Sequence, residues 1–172
     1  ARGLGDVYKR QELHFGSVAP GGYAWVFPKQ GGANIGLGIQ RKLAKGKSLN
    51  LYSENFFSRY QGEVNFRGAG SLPMSGTIPK FVQGNHLLVG DAAGMVLPSN
   101  GAGITIAMIG GRIAGQVVAE HLTDGTSLEE YERRWNKQMG KVMRNSKFAF
   151  KLGTLMFRSP DWLLNLLSLI HI

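Results

Sequence analysis

The feature that most constrains the fold is an apolar run that leads into a loop of small residues and then into a helix. The run HLLVGD at 86–91 lacks alternation, so it predicts a buried parallel strand that ends at Asp91. A helix over 103–122 follows the loop. A strand end beside a helix N-terminus is a common place for polar or anionic cofactors, because the first amides of the helix are free. The pattern therefore predicts a cofactor-binding α/β unit.

Asp91 and the loop glycines suit a ligand that carries hydroxyl groups. A carboxylate at a strand end accepts hydrogen bonds from hydroxyls, and Gly101 and Gly103 allow close backbone approach. In the alternative interpretation Asp91 caps the loop and the glycines form turns, since short glycine patterns are weak signals.

Residues 12–40 alternate in short runs broken by glycine and proline, which predicts a three-stranded antiparallel meander. Tyr23, Trp25 and Phe27 then share one sheet face. Such a row forms either the wall of an apolar groove or an ordinary core face.

The hairpin length decides which residues face the aromatic row. A five-residue loop places Phe27 opposite Ala33, whereas a six-residue loop places it opposite Asn34. Because a slip of one residue exchanges the two faces, the sequence leaves open whether Gly36 and Gly38 share the aromatic face.

Helices are predicted over 48–60, with Ser48 as N-cap, and from Ser127, where a capping box with Glu130 is expected, to about Arg158. Breaks in the second helix are expected near Gly140 or Gly153, and a last short helix follows the cap at Ser159-Pro160-Asp161.

The second of these helices is strongly basic, with no acidic residue between Arg133 and Pro160. Its apolar residues are expected mostly on the side opposite the cations: Met139, Val142, Met143, Ala149, Phe150 and Met156. The pattern predicts peripheral contact with an anionic membrane. The cations assigned to it are Lys137, Lys141, Arg144, Lys147 and Lys151. A solvated face of a packed helix is the alternative.

Composition removes several classes of function. The absence of cysteine excludes disulfides, thiolate metal sites and a cysteine nucleophile, and His14, His86 and His121 are too isolated to predict a metal site; His86 is expected to be structural. The net charge of +9 raises nucleic acid or an anionic membrane as partners, but no nucleic-acid module accompanies it. With no signal peptide and no apolar run near 18 residues, a cytoplasmic protein is predicted, with peripheral contact at the inner face of the cell membrane as an open alternative.

Two motifs carry a resemblance to a known family. GDAAG, then Pro98, then GAGI resembles the second FAD motif of the flavoproteins that include aromatic hydroxylases, halogenases and geranylgeranyl reductases. Y-x-W-x-F-P, followed by Gly36-x-Gly38, resembles the substrate-domain signature of geranylgeranyl reductases. The resemblance covers roughly residues 12–165.

The resemblance implies a carboxy-terminal fragment with a p-hydroxybenzoate-hydroxylase-like FAD-binding fold, of mixed α+β and α/β class. The substrate sheet would occupy 12–80, the FAD domain 81–124 and a helical region 125–167. The terminal stretches Ala1 to Gln11 and Ser168 to Ile172 resemble translated adaptor sequence and are expected to be non-native.

Site residues follow from the matched motifs. The residues implied to bind FAD are Gly90, Asp91, Ala92, Pro98, Gly101, Ala102, Gly103 and Ile104. Those implied to bind substrate are Tyr23, Trp25, Phe27, Pro28, Gly36 and Gly38. No catalytic residue and no metal ligand is assigned.

The function implied is an archaeal FAD-dependent reductase that saturates geranylgeranyl chains of membrane lipid precursors. NADPH or a ferredoxin would supply the electrons, and this stretch by itself is expected to be inactive. An aromatic monooxygenase or halogenase of the same fold is the first alternative. A non-catalytic lipid-binding module is the second.

Overall fold

The structure, a computed structural model, describes residues 11–156. The predicted non-native ends lie outside these residues except for Gln11, as do Arg158 and the last helix predicted after Ser159. The described residues form two compact units, 11–67 with 154–156 and 68–153. The domain boundaries drawn from the sequence stay a prediction.

The first unit contains the expected meander. Strands β1 (Glu12–His14), β2 (Tyr23–Lys29) and β3 (Gly32–Gly38) form an antiparallel sheet in that order. A two-residue turn joins β2 to β3, and Gly31 within it adopts a φ of 75°. A positive φ is the conformation that tight hairpin turns require and that glycine adopts without strain.

One face of this sheet is covered by helix α1 (Leu49–Phe57). The Ser48 hydroxyl accepts a hydrogen bond from the Leu51 amide at 3.3 Å, which confirms the predicted N-cap. Ala24 and Val26 point from β2 into a small core with the fully buried Phe56. The residues between them in sequence therefore face the other way.

The second unit is built on two helices, α2 (Ile104–Asp124) and α3 (Glu130–Met156). Apolar residues spaced four apart form a buried stripe along α3. These are Tyr131, Trp135, Met139 and Met143. The stripe joins one core with Ile106, Ile113 and Val117 of α2. Its regular spacing holds α3 as a single long helix.

The parallel strand predicted at 86–91 is wrong. Strand β5 covers only His86–Leu87 and pairs antiparallel with β4 (Val82–Gln83) across a turn that contains Gly84 at a φ of 55°. His86 is exposed rather than at the start of a buried strand, and Leu88 is 41% exposed. Within residues 11–156 no parallel partner lies beside this run, so it pairs with the adjacent apolar segment.

The capping box predicted at the start of α3 is also wrong. The Ser127 hydroxyl donates to the carboxylate of Glu129 instead. The Glu130 carboxylate accepts hydrogen bonds from Arg133 Nε at 2.6 Å and Arg134 Nε at 2.8 Å. These bonds lower the pKa of Glu130 to about 2, so the carboxylate is engaged along the helix and not at its cap.

Helix α3 runs unbroken through Gly140 and Gly153, where interruptions were expected. The buried stripe continues on both sides of Gly140, and packing outweighs the low helix propensity of glycine. Two residues expected on the buried side are exposed, Val142 and Ala149. None of the helices formed by residues 11–156 has the length and apolarity needed to cross a membrane.

Glu132 connects α3 to the start of the β4–β5 hairpin. One of its carboxylate oxygens accepts hydrogen bonds from the backbone amides of Phe81 at 2.7 Å and Val82 at 2.8 Å. Both amides belong to buried residues, so removal of the acceptor leaves two donors without a partner.

We expect Glu132→Ala to lower the free energy of unfolding of the full-length protein by about 1–3 kcal/mol, measured by urea denaturation. Glu132→Gln keeps an acceptor oxygen and should lose less. Glu63→Ala, at an exposed position, should stay within about 0.5 kcal/mol of wild type. Equal effects of the alanine changes at 132 and 63 would contradict the assignment.

Candidate functional site

The GDAAG segment forms a tight turn whose shape depends on Gly94. Residues 90–93 make one 3₁₀ turn, closed by hydrogen bonds from the Gly94 amide to the Asp91 carbonyl at 3.0 Å and from the Met95 amide to the Gly90 carbonyl at 2.9 Å. Gly94 has a φ of 67°, and a Cβ there would lie 2.4 Å from the Gly76 carbonyl oxygen. A larger residue at position 94 cannot fit.

A second turn, at 97–102, leads into α2. The Leu97 amide donates to the Ala102 carbonyl at 2.9 Å, and the Gly101 amide donates to the Leu97 carbonyl at 2.8 Å. Gly101 has a φ of 78°. Ala102 has no positive φ, so alanine fits this position of the loop without backbone strain.

The Asp91 carboxylate lies beside the N-terminus of α2. A Cβ added at Gly103, the N-cap residue, would be 3.6 Å from Asp91 Oδ1. Asp91 is exposed, and no group within residues 11–156 forms a hydrogen bond with its carboxylate. Its carbonyl, not its side chain, closes the turn to Gly94. The geometry therefore disfavours the alternative in which the Asp91 side chain caps the loop.

The end of α2 is open to a ligand. Gly103 supplies no side-chain cap, and the first amides of a helix have no acceptor within it. Ile104 is 84% exposed and Met108 is 69% exposed, so apolar surface adjoins these amides. The carboxylate suits a ligand that carries hydroxyl groups, and the free amides suit an electron-rich edge of that ligand. The apolar surface suits a flat ring.

Most residues expected to bind the cofactor lie within these two turns. Ala92, Ala102 and Ile104 are exposed, whereas Gly90 and Pro98 are buried. Pro98 can therefore shape the loop without offering its own ring to a ligand.

The strand register answers the question left open for the two glycines. Trp25 lies opposite Gly36 and Tyr23 opposite Gly38, with Phe27 opposite Asn34. This is the pairing of the six-residue loop, and it places both glycines on the aromatic face. Pro28, which was expected to bind substrate, falls on the other face with Ala24 and Val26.

The aromatic side chains form one row along the sheet. Ring centroids are 5.8 Å apart between Tyr23 and Trp25 and 6.2 Å apart between Trp25 and Phe27, the second pair stacked. Phe15, 56% exposed, extends the row with its ring centroid 6.1 Å from that of Tyr23. The row lies on the face opposite the core, so it is not an ordinary core face.

Trp25 is held at two points. Its indole Nε1 donates to Asn34 Oδ1 at 2.7 Å, and a Cβ at Gly36 would lie 2.3 Å from the indole ring. The ring therefore rests on the bare backbone of Gly36. Sequence reasoning missed Phe15 and Asn34, whose places in the site emerge only once the sheet register and the ring contacts are known.

Residues 8–69, which contain the aromatic row, match the model of the geranylgeranyl reductase catalytic domain. The chain is 41% identical to digeranylgeranylglycerophospholipid reductase 2 of Methanothermobacter thermautotrophicus, over 91% of this chain and 43% of that protein. It is 42% identical to the Methanocaldococcus jannaschii digeranylgeranylglycerophospholipid reductase, over 74% of this chain and 35% of the other. The chain thus spans about two fifths of the length of the curated relatives it matches.

A solved structure shares the fold. The geranylgeranyl bacteriochlorophyll reductase-like protein from Thermoplasma acidophilum superposes with a TM-score of 0.67 and 26% identity, over 84% of this chain and 39% of that one. The predicted fold is confirmed by this similarity.

Substitution by alanine should destabilise the protein at one glycine of the aromatic face and have little effect at the other. Gly36→Ala places a methyl group against the indole, so we expect it to displace Trp25 and to lower the free energy of unfolding by about 1–3 kcal/mol. Gly38→Ala is the matched control, because a Cβ there meets nothing within 4 Å. Thermal unfolding and acrylamide quenching of tryptophan fluorescence measure both effects. Indistinguishable variants would show that the indole does not rest on Gly36.

Proposed function

Because the chain belongs to the geranylgeranyl reductase family, we propose that its protein is an FAD-dependent reductase that saturates geranylgeranyl chains of archaeal membrane lipid precursors. NADPH or a ferredoxin would supply the electrons. The observation that carries the proposal is the outward aromatic row, inside the segment that matches the catalytic domain. Apolar aromatic walls suit a prenyl chain, which offers no polar group for recognition.

The loop that contains Asp91 is assigned to FAD. Bound FAD would supply hydride to one carbon of the substrate double bond, a proton would add at the neighbouring carbon, and the reduced flavin would carry negative charge at its pyrimidine edge. Asp91 would accept hydrogen bonds from the ribityl hydroxyls, for which its exposed carboxylate is available. The backbone at Gly103 and Ile104 would hold the pyrimidine edge. The positive end of the α2 dipole stabilises negative charge at that position.

The aromatic row is assigned to the substrate. Tyr23, Trp25 and Phe27 form a stiff apolar surface, and stiff surfaces lose little conformational entropy when a chain binds. The two opposed glycines then differ in role. Gly36 seats the indole, whereas Gly38 leaves open space above the strand.

Peripheral membrane contact is assigned to the outer face of α3. The side chains that support it are exposed. They are Lys137, Lys141, Arg144, Lys147 and Lys151. Cations near an anionic leaflet are attracted to it, and a lipid substrate resides in that leaflet.

We expect Asp91→Ala to weaken FAD binding by the full-length protein by about 1–3 kcal/mol, because ligand hydroxyls lose their acceptor. Asp91→Asn keeps one acceptor oxygen and should show a smaller loss. Equilibrium titration of the flavin-free protein with FAD gives the affinities. Since the carboxylate is exposed, the melting temperature of the flavin-free protein should not change. Unaltered FAD affinity would remove Asp91 from the site.

Trp25→Ala should slow oxidation of the reduced enzyme by a geranylgeranyl lipid by about 100-fold, because a displaced double bond reacts poorly. Reduction by dithionite should be unchanged, since it does not need the groove. Trp25→Phe keeps an apolar wall and should retain more activity. Anaerobic stopped-flow absorbance follows both steps in variants that are folded and loaded with FAD.

Reoxidation of Trp25→Ala by lipid at the wild-type rate would show that the aromatic row is not a substrate wall. If the wild-type enzyme ignored every prenyl lipid but consumed oxygen with an aromatic substrate, the monooxygenase alternative would replace the reductase.

A further inference from the structure

The outer face of α3 carries large apolar side chains among its cations. Phe148 is 70% exposed and Leu152, one turn later, is 51% exposed. Arg144 lies four residues before Phe148 and Lys151 three residues after it, so all four side chains share one face. Large apolar side chains that cluster at the centre of an exposed face, with charged residues around them, indicate an interaction surface.

Among residues 11–156, the cations on this face have no carboxylate partners. At the start of α3, Arg134 is paired with Glu120 at 2.6 Å and with Glu130 at 2.8 Å. Farther along, no salt bridge within residues 11–156 engages the exposed cations around Phe148. These are Lys141, Arg144, Lys147 and Lys151. The outer face of α3 therefore has an apolar centre, and all of the charges around that centre are positive.

Contacts of the inner face of α3 determine which side chains of the helix point outward. Met143 and Ser146 are buried, and the Ser146 hydroxyl donates to Ser99 Oγ at 2.9 Å and accepts from the Ser99 amide at 3.0 Å. Phe148 is two residues, or about 200°, beyond Ser146 on the helix. With Ser146 held inward, Phe148 points outward.

We propose that this face docks on an anionic lipid bilayer, with Phe148 and Leu152 inserted among the acyl chains and the four cations at the headgroups. Charge complementarity indicates that the binding partner is an anionic leaflet. Its negative headgroups can pair with the cations, and the acyl chains below them can accept the two apolar side chains. Insertion of apolar side chains goes beyond the electrostatic contact described above. The functional purpose of this docking rests on the proposed lipid substrate. An in-plane helix of this kind places the enzyme at the surface where that substrate resides.

Vesicle flotation of the full-length, FAD-loaded protein tests the insertion. We expect binding to phosphatidylcholine vesicles that contain phosphatidylglycerol, with a fraction retained at high salt, because salt screens charge but not apolar contact. Changing Phe148→Ser and Leu152→Ser together should weaken binding by about tenfold or more and abolish the salt-resistant fraction. Leu122→Ser on α2, also strongly exposed at 79%, is the matched control and should bind like wild type.

Several outcomes would overturn the proposal. Equal flotation of wild type and the double variant would show that the two side chains do not insert. Binding of wild type that high salt removes completely would leave an electrostatic contact alone. Dimers in gel filtration that the double variant loses, without vesicle binding by wild type, would make a second copy the occupant. Binding to duplex DNA in place of vesicles would make the face a polyanion site.

Measurements of turnover distinguish the docking proposal from the proposed reductase activity. The double variant should reduce detergent-solubilised lipid at the wild-type rate and fail with lipid embedded in vesicles. A wild-type protein that floats with vesicles but never reduces prenyl lipid would sink the reductase proposal and leave the docking face intact.

Discussion

The buried stripe of α3 is the contact on which the second unit depends. Tyr131 and Trp135 are fully buried, and burial raises the pKa of the Tyr131 phenol to about 12, so it remains a hydrogen-bond donor. That hydroxyl donates to the Leu88 carbonyl at 3.2 Å and contacts Met95 Sδ at 3.6 Å. Gly110 of α2 completes the fit, because a Cβ there would lie 2.6 Å from Met95 Sδ. One helix thus supports the segments on both sides of the GDAAG turn.

The support comes from the first turn of the helix and from its second half. Glu132 accepts hydrogen bonds from two amides at the start of the β4–β5 hairpin, and Tyr131 donates to the Leu88 carbonyl just after it. Ser146 accepts a hydrogen bond from the Ser99 amide in the turn before α2. Because three residues of one helix form these hydrogen bonds, the loop has little conformational freedom, as a preorganised ligand site requires. The buried inner face of α3 therefore keeps the helix in position, although most of its outer residues are charged and exposed.

The sequence predicted what depends on local chemistry and missed what depends on partners distant in the chain. Alternation was enough for the meander, and Ser48 was enough for a cap, because both are local effects. The 86–91 run has the composition of a parallel strand, but a strand takes its type from its neighbour. At Glu130 two arginines within one turn compete for the carboxylate that a capping box would need. The facing of Gly36 depended on a hairpin length that composition does not encode.

The sheet of the first unit has its larger apolar side chains on the outer face, whereas a sheet with one solvated face usually buries them. The small side chains of Ala24 and Val26 make the core, while the larger ones between them face outward. Outward aromatic area of this kind costs solubility unless it is covered in use, so its presence argues for a binding surface. Trp25 adds a second argument, since its hydrogen bond to Asn34 and its seat on Gly36 fix the ring before any ligand arrives. A wall that is fixed in this way would position a double bond of a flexible chain for reaction, as the proposed reduction requires.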